Sequence, residues 1–334
     1  MMTPDLSKAV TDLSKLGNDL LRKELFVEAE KTFLSALQLD GHNAYVLVGL
    51  GNVYCALRQY LKAVEFFQRM LDIEPRNHFA LKGMGDAYRG LQQPEQTVVY
   101  WIRYLEQKPG DVRVMVRLAD CLSKVGNSAD AEEYCAKALR MQGNDKHVLI
   151  GAGRLYYRTG RDDDASACLE KALEQDAGNV TVLIMLGDIY QRLKHYEKAV
   201  GYYEKVLQRD HGNCVALFGL GSCERGLRNM EQAVFWWSKV IDADPGNQRA
   251  HSRGGDALLQ LGDTEQAEQW YRNSLKHGFD PYALRGLAKL YRIRGSYKES
   301  EACCREILRE VPDHALALEE LDNIAEARAN SGAR

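Results

Sequence analysis

The chain has 334 residues, a length that ordinarily means about two globular domains. Its 45% hydrophobic and 27% charged residues are those of a soluble folded protein. The balance of 44 basic against 47 acidic residues excludes a generic polybasic nucleic-acid binder, and 8 scattered cysteines without a CxxC pair argue against a secreted disulfide framework. The opening "MMTPDLSKAV" carries Asp5 and no apolar h-region, so no signal peptide is expected. The strongest apolar run, Val180 to Leu186, is far too short to span a membrane. Free thiols in a reducing compartment, a cytoplasmic location and no membrane insertion are the expectations.

After a short lead-in over 1–9, the chain repeats itself from Val10 in rows of 34 residues. The rows are 10–43, 44–77, 78–111, 112–145, 146–179, 180–213 and 214–247, then a shortened row at 248–280 and a last one at 281–314. Position 8 of successive rows reads Gly17, Gly51, Gly85, Ala119, Gly153, Gly187, Gly221, Gly255 and Ala288. Position 20 is Ala, Thr or Ser throughout, from Ala29 to Ser300, and position 28 is Leu or Ile in every row. A fixed period of this size marks a repeat array. Positions 4, 7, 8 and 11 share one helix face, and positions 20, 24, 27 and 28 share a second. The spacing therefore predicts two helices per row, held close by the small residues at 8 and 20, with aromatics such as Phe33, Phe67, Trp101, Tyr203, Trp237 and Tyr271 at position 24. Beyond His314, "ALALEELDNIAEARA" predicts an end helix over 315–330, with Leu316, Leu318, Leu321, Ile324 and Ala325 on one face and a frayed tail at 331–334. The expectation is an all-α chain of about nineteen helices with no strand.

Two rows depart from the pattern. Row seven has Glu224 at an apolar position, which predicts that it reaches solvent or Arg228. Row eight has adjacent Gly254 and Gly255, each about 1 kcal/mol worse than alanine inside a helix. These rows read either as the loosest part of the stack or as a well-packed row with unusual neighbours.

The column pattern resembles the tetratricopeptide repeat family over residues 10 to 314. The resemblance implies antiparallel helix pairs stacked into a right-handed superhelical α-solenoid of about nine helix-turn-helix repeats plus a C-terminal end helix. It also implies a concave groove lined by the first helix of each pair, and a protein-binding scaffold rather than an enzyme. Relatives often clamp a peptide's C-terminal carboxylate with a lysine and an asparagine in the first row, an asparagine in the second and basic residues in the third. Asn18 and Asn52 match, but Ser14 replaces the lysine, and the third row offers Phe79 and Gly83.

No catalytic or cofactor motif emerges. The GxG triplets at Gly49, Gly83, Gly151 and Gly219 lack a third glycine and lie inside helices, so they read as packing. The 8 histidines lack metal-ligand spacing. Cys303 and Cys304 are adjacent on a helix, with Cys304 at core position 24. Asp162, Asp163 and Asp164 enter a second helix and read as capping, and the lone Asn179-Val-Thr181 triplet carries little as a glycosylation signal. No cofactor and no metal are expected.

Charge is partitioned more informatively. If the family geometry holds, positions 2, 5, 6, 9, 12 and 13 face the groove. They hold 16 basic residues, among them Lys82, Arg89, Arg113, Arg117, Lys124, Arg154, Arg158, Arg192 and Arg225, and only Asp86, Asp120, Asp188 and Asp256 as acids. A wall of one sign focuses its field, and arginine forks suit carboxylates and phosphates. Interleaved apolar residues, including Tyr45, Phe79, Ile150 and Tyr157, offer sites for side chains of a peptide. The expected partner is a protein or peptide, acidic or amphipathic, with Arg154 and Arg158 meeting its carboxylates and Tyr157 an apolar side chain. Single-stranded nucleic acid stacked on Tyr45, Phe79 and Tyr157 is the alternative, disfavoured by the groove aspartates. Service as a regulatory subunit of an enzyme complex, and self-association, stay open.

Overall fold

The structure, a computed structural model, describes residues 4–332. Among the described residues there are nineteen helices and no strand. The chain divides into two compact units, one up to Ala177 and the other from Gly178 onward. The division falls at the end of the fifth sequence row, although the repeat pattern runs through it without a change of period.

Unit 1 holds five helix pairs: α1 (Pro4–Arg22) with α2 (Phe26–Leu39), α3 (Ala44–Ala56) with α4 (Tyr60–Ile73), and α5 (His78–Gly90) with α6 (Pro94–Gln107). They are followed by α7 (Val112–Lys124) with α8 (Ser128–Gln142) and α9 (Lys146–Arg158) with α10 (Asp162–Gln175). Unit 2 repeats the scheme with α11 (Val180–Arg192) and α12 (Tyr196–Leu207), then α13 (Cys214–Gly226) and α14 (Met230–Ala243). Its remaining elements are α15 (Gln248–Leu261) with α16 (Thr264–Leu275), α17 (Pro281–Ile293) with α18 (Tyr297–Glu310), and α19 (Ala315–Gly332). Residues from Pro4 onward thus extend the first helix into what the sequence reading leaves as a lead-in. The last helix runs into the stretch expected to be a frayed tail, whose final two residues lie outside those described.

Three columns build each pair. The first helix of a pair starts on an Asn or Asp at the end of the preceding row, whose side chain accepts free backbone N–H groups of the first turn. Asn43 accepts from Tyr45 and Val46, Asp145 from His147 and Val148, and Asn179 from Val182. Asn179 is therefore a helix cap. Helix one then ends in a left-handed residue at position 15, where the chain must reverse within three residues. Five of these are not glycine, among them Arg58 at φ 58° and Lys194 at φ 61°, and Gly126 at φ 83° is one of the glycines that fill the same place. Position 20, from Ala29 to Ser300, has no solvent exposure in any row.

The aromatic at position 24 fills the space that the glycines leave. The Tyr203 ring lies between Gly187 of its own row and Gly219 of the next, and a Cβ built on Gly187 would stand 2.6 Å from it. Phe33 sits likewise between Gly17 and Gly49, and Phe67 between Gly51 and Gly83. The GxG triplets at Gly49, Gly83 and Gly219 are thus halves of two successive aromatic slots, while in the fourth triplet Gly151 and Gly153 make room for Val116 and Leu169. Their first glycines are buried or half-buried, so these positions are floor rather than groove wall.

Rows seven and eight are filled, not loosened. Gly254 and Gly255 are buried beneath the rings of Trp270 and Tyr271. Glu224 accepts a hydrogen bond from the Asn229 amide at 2.9 Å rather than pairing with Arg228. The three aspartates of α10 stand in its first turn, where they complement the helix dipole, while the residue at the N-cap itself is Arg161, whose side chain makes no capping bond. In α19 the buried stripe is Ala317, Glu320 and Ile324, with Glu320 paired to Arg292 at 2.6 Å. Leu316 and Leu318 face solvent, because burial follows the 317–320–324 spacing instead.

Candidate functional site

In unit 1 the first helices of the third, fourth and fifth pairs carry the basic positions. α5 supplies Arg89 from its last turn, α7 supplies Arg113, Val116, Arg117 and Asp120, and α9 supplies His147, Ile150 and Arg154. These residues line one open cleft of about 330 Å³. Val116 and Ile150 form its apolar wall, and Gly151 keeps the floor low because a Cβ there would run into Val116.

The cations in and beside this cleft fall into two groups. Arg117 pairs with Asp86 at 2.7 Å, and its guanidinium lies 5.1 Å from the Trp101 ring centre. Arg158 reaches from α9 to Asp120 at 2.7 Å and also donates to the Asp120 carbonyl, while Lys124 pairs with the same carboxylate at 2.9 Å. Burial opposes ionisation of Asp120, but hydrogen bonds from Lys124 and Arg158 and their charges outweigh it and hold its pKa below the usual carboxylate range. These groups brace α7 against its neighbours. Arg113 and Arg154 make no ion pair among the described residues and are exposed at the cleft. Arg89 also lacks an ion pair there and rests 5.9 Å from the Trp101 ring.

Other residues expected at the groove have different surroundings. Lys82 pairs with Asp111 at 3.4 Å over the Tyr104 ring, and Tyr104 donates to Asp111 at 2.7 Å. Lys82 therefore helps anchor the start of α7, whose cap is Asp111. Lys124 borders a separate recess with Arg89, Gln93 and Pro94. Tyr157 is half-buried and does not line the cleft, so Val116 and Ile150 take the apolar part expected of it. Arg158 is not a free guanidinium: a glutamate in its place would face Asp120, so its reversal would disturb the fold. Arg192 and Arg225 belong to α11 and α13 of unit 2. The clamp positions also depart structurally, since Ser14 is buried and donates to the Val10 carbonyl, and Gly83 is packed against Phe67.

Two of the four acids at these positions, Asp86 and Asp120, are taken up by Arg117 and Arg158. Which arginines stay unpaired depends on contacts between rows. Tyr45 and Phe79, at the second position of their rows, are 75% and 60% exposed on unit 1. Among the described residues, no group of three His, Cys, Asp or Glu side chains is arranged to hold a metal ion. No helix there is long and apolar enough to cross a membrane.

Tetratricopeptide repeat models match residues 14–78, 110–177, 180–213 and 253–315, together more than half of the chain. Among solved structures, a tetratricopeptide repeat protein from Parabacteroides merdae aligns with a TM-score of 0.58 at 13% identity. That alignment covers 74% of this chain and 98% of the other. The pilF protein of Pseudomonas aeruginosa aligns with a TM-score of 0.53 at 18% identity, over 64% of this chain and 97% of its own. At these identities the likeness is one of fold. No curated protein matches the sequence.

Proposed function

Because the chain belongs to the tetratricopeptide repeat family, a protein-interaction fold, we propose that it is a non-catalytic scaffold that binds an acidic, amphipathic peptide segment in the cleft of α5, α7 and α9. The observation that carries this reading is the pair Arg113 and Arg154, exposed and without ion pairs beside the apolar wall of Val116 and Ile150. An unpaired guanidinium offers its planar fork to a carboxylate, and the adjacent wall takes an aliphatic side chain. A peptide is favoured over a single-stranded nucleic acid because Val116 and Ile150 suit an aliphatic side chain, whereas among the described residues no Phe, Tyr or Trp lines the cleft for a base to stack on. Cytoplasmic residence suits the 8 free thiols, several of which burial pushes well up, Cys55 and Cys304 to about 12.

The test is fluorescence anisotropy with a labelled peptide rich in glutamate and leucine. Arg113→Glu with Arg154→Glu is expected to weaken binding at least tenfold with an unchanged circular dichroism spectrum, since exposed charge changes shift stability by under about 0.5 kcal/mol. The loss shrinks as salt rises, because screening already weakens the wild-type attraction. Equal affinity of the variant at low salt contradicts the reading. Preference for a single-stranded oligonucleotide over the peptide, with a steep salt slope, replaces the peptide by nucleic acid.

A further inference from the structure

The basic constellation of unit 1 recurs four repeats later in the sequence. Arg89, Trp101, Arg113, Arg117 and Asp120 correspond in repeat position to Arg225, Trp237, Arg249, Arg253 and Asp256. Because row eight is one residue short, Ile150 and Arg154 correspond to Arg285 and Lys289. The second set lies entirely within unit 2.

The correspondence extends to the contacts. Arg225 rests 5.8 Å from the ring centre of Trp237, as Arg89 rests on Trp101, and both indole N–H groups are buried without a hydrogen-bond partner. Arg249 lies 4.8 Å over Phe218, where it borders a cleft of about 410 Å³ that also takes in Val215 and Asp188, whose carboxylate accepts the Tyr203 hydroxyl. Arg253 lies 5.8 Å from the Tyr282 ring. Rings thus hold three guanidiniums in place where no carboxylate does.

Compensation is the point of difference. Arg117 has Asp86 as its partner, whereas the residue in the place of Asp86 is Ser222, and Arg253 has no ion pair among the described residues. Asp120 is shared by Arg158 and Lys124, whereas Asp256 accepts the Tyr271 hydroxyl at 2.8 Å. Arg225, Arg249 and Arg285 also lack ion pairs among the described residues, and the Arg285 Nε is buried with no partner at all. Burial lowers the Arg225 pKa and the charge of Arg253 lowers it further, with the Asp256 carboxylate offsetting part of the effect. A buried orphan donor among like charges is costly unless an acceptor is supplied from outside.

The geometry points to a second acidic-segment site in unit 2, built on Arg225, Arg249, Arg253 and Arg285, with carboxylates as the groups recognised. It rests on the peptide reading of unit 1 for the ligand class, and its residues are separate from that cleft. Phe218 and Val215 supply the apolar surface that Ile150 and Val116 supply in unit 1.

The experiment is isothermal titration with a short glutamate-rich peptide carrying one central leucine, on wild type, Arg113→Glu with Arg154→Glu, and Arg249→Glu with Arg253→Glu. Milder Arg249→Gln with Arg253→Gln guards against a folding defect, and circular dichroism accompanies each variant. Wild type is expected to show two sites, and each pair of substitutions to weaken one of them at least tenfold. If the unit 2 pair alters neither stoichiometry nor affinity, the second site is overturned while the unit 1 reading stands. If only the unit 2 pair has an effect, the second site stands and the unit 1 cleft falls. Absence of binding to wild type contradicts both.

Discussion

The Tyr203 ring is fully buried between two glycines, one from its own repeat and one from the next, and its hydroxyl donates to Asp188 at 2.6 Å. Replacing Gly187 by leucine would drive a side chain into that ring. The expected cost is about 1 to 3 kcal/mol or more by overpacking, and a lowered thermal midpoint checks it. At Gly126 the surroundings are open, and only the φ of 83° disfavours a side chain. Gly126→Ala is therefore expected to cost about 1 kcal/mol through the backbone alone, read as a shift in the urea midpoint. Asp120 gives a pH signature. Its folded pKa is depressed, so its contribution is complete above the ordinary carboxylate range and is lost as pH falls through the folded value. The stability difference between wild type and Asp120→Asn should be widest at neutral pH and close in acid. A gap that persists in acid would show that Asp120 acts through packing.

At the scale of the element, a side-chain cap starts the first helix of pairs two to nine, and a left-handed residue follows the first helix of every pair. Asn179→Ala removes the acceptor for the Val182 N–H and is expected to cost about 1 kcal/mol. Asp280 does more: it is buried, caps α17 through Tyr282 and Ala283, and accepts hydroxyls from Ser252 and Ser274. Asp280→Ala leaves these hydroxyls only the longer contacts they make with each other at 3.4 Å and, from Ser274, with the Gln248 carbonyl at 3.3 Å. It should cost clearly more than Asn179→Ala in the same denaturation assay, because a buried donor that loses its acceptor costs about 1 to 3 kcal/mol. Equal costs would mean that the hydroxyls find other partners. The helix pairs were readable from the columns at positions 8, 20 and 28, because close packing constrains residue size at a fixed spacing. The turn at position 15 was not, since Arg58, Gln92 and Lys194 carry no left-handed preference in their residue type. Position 6 reads from sequence as groove wall, but Gly49, Gly83, Gly219 and Gly286 make room there for a ring of the preceding row, and Gly151 makes room for Val116.

On the scale of the whole molecule, the period of 34 residues runs through a chain that folds as two compact units, so the repeat count is plain in sequence while the division is not. The same holds for function. Sixteen basic residues stand at repeat positions expected to face a groove, yet Arg117, Lys124 and Arg158 are occupied by aspartates and Arg113 and Arg154 are not. Charge at a repeat position is visible in sequence, but pairing across rows depends on where each side chain reaches. The most direct measurement is hydrogen exchange of the full chain with and without the glutamate- and leucine-rich peptide. In unit 1, peptide-induced protection should fall on α5, α7 and α9, spare α6, α8 and α10, and vanish in Arg113→Glu with Arg154→Glu. Protection on α6, α8 or α10 instead, or protection that survives the double reversal at low salt, would contradict the proposed site.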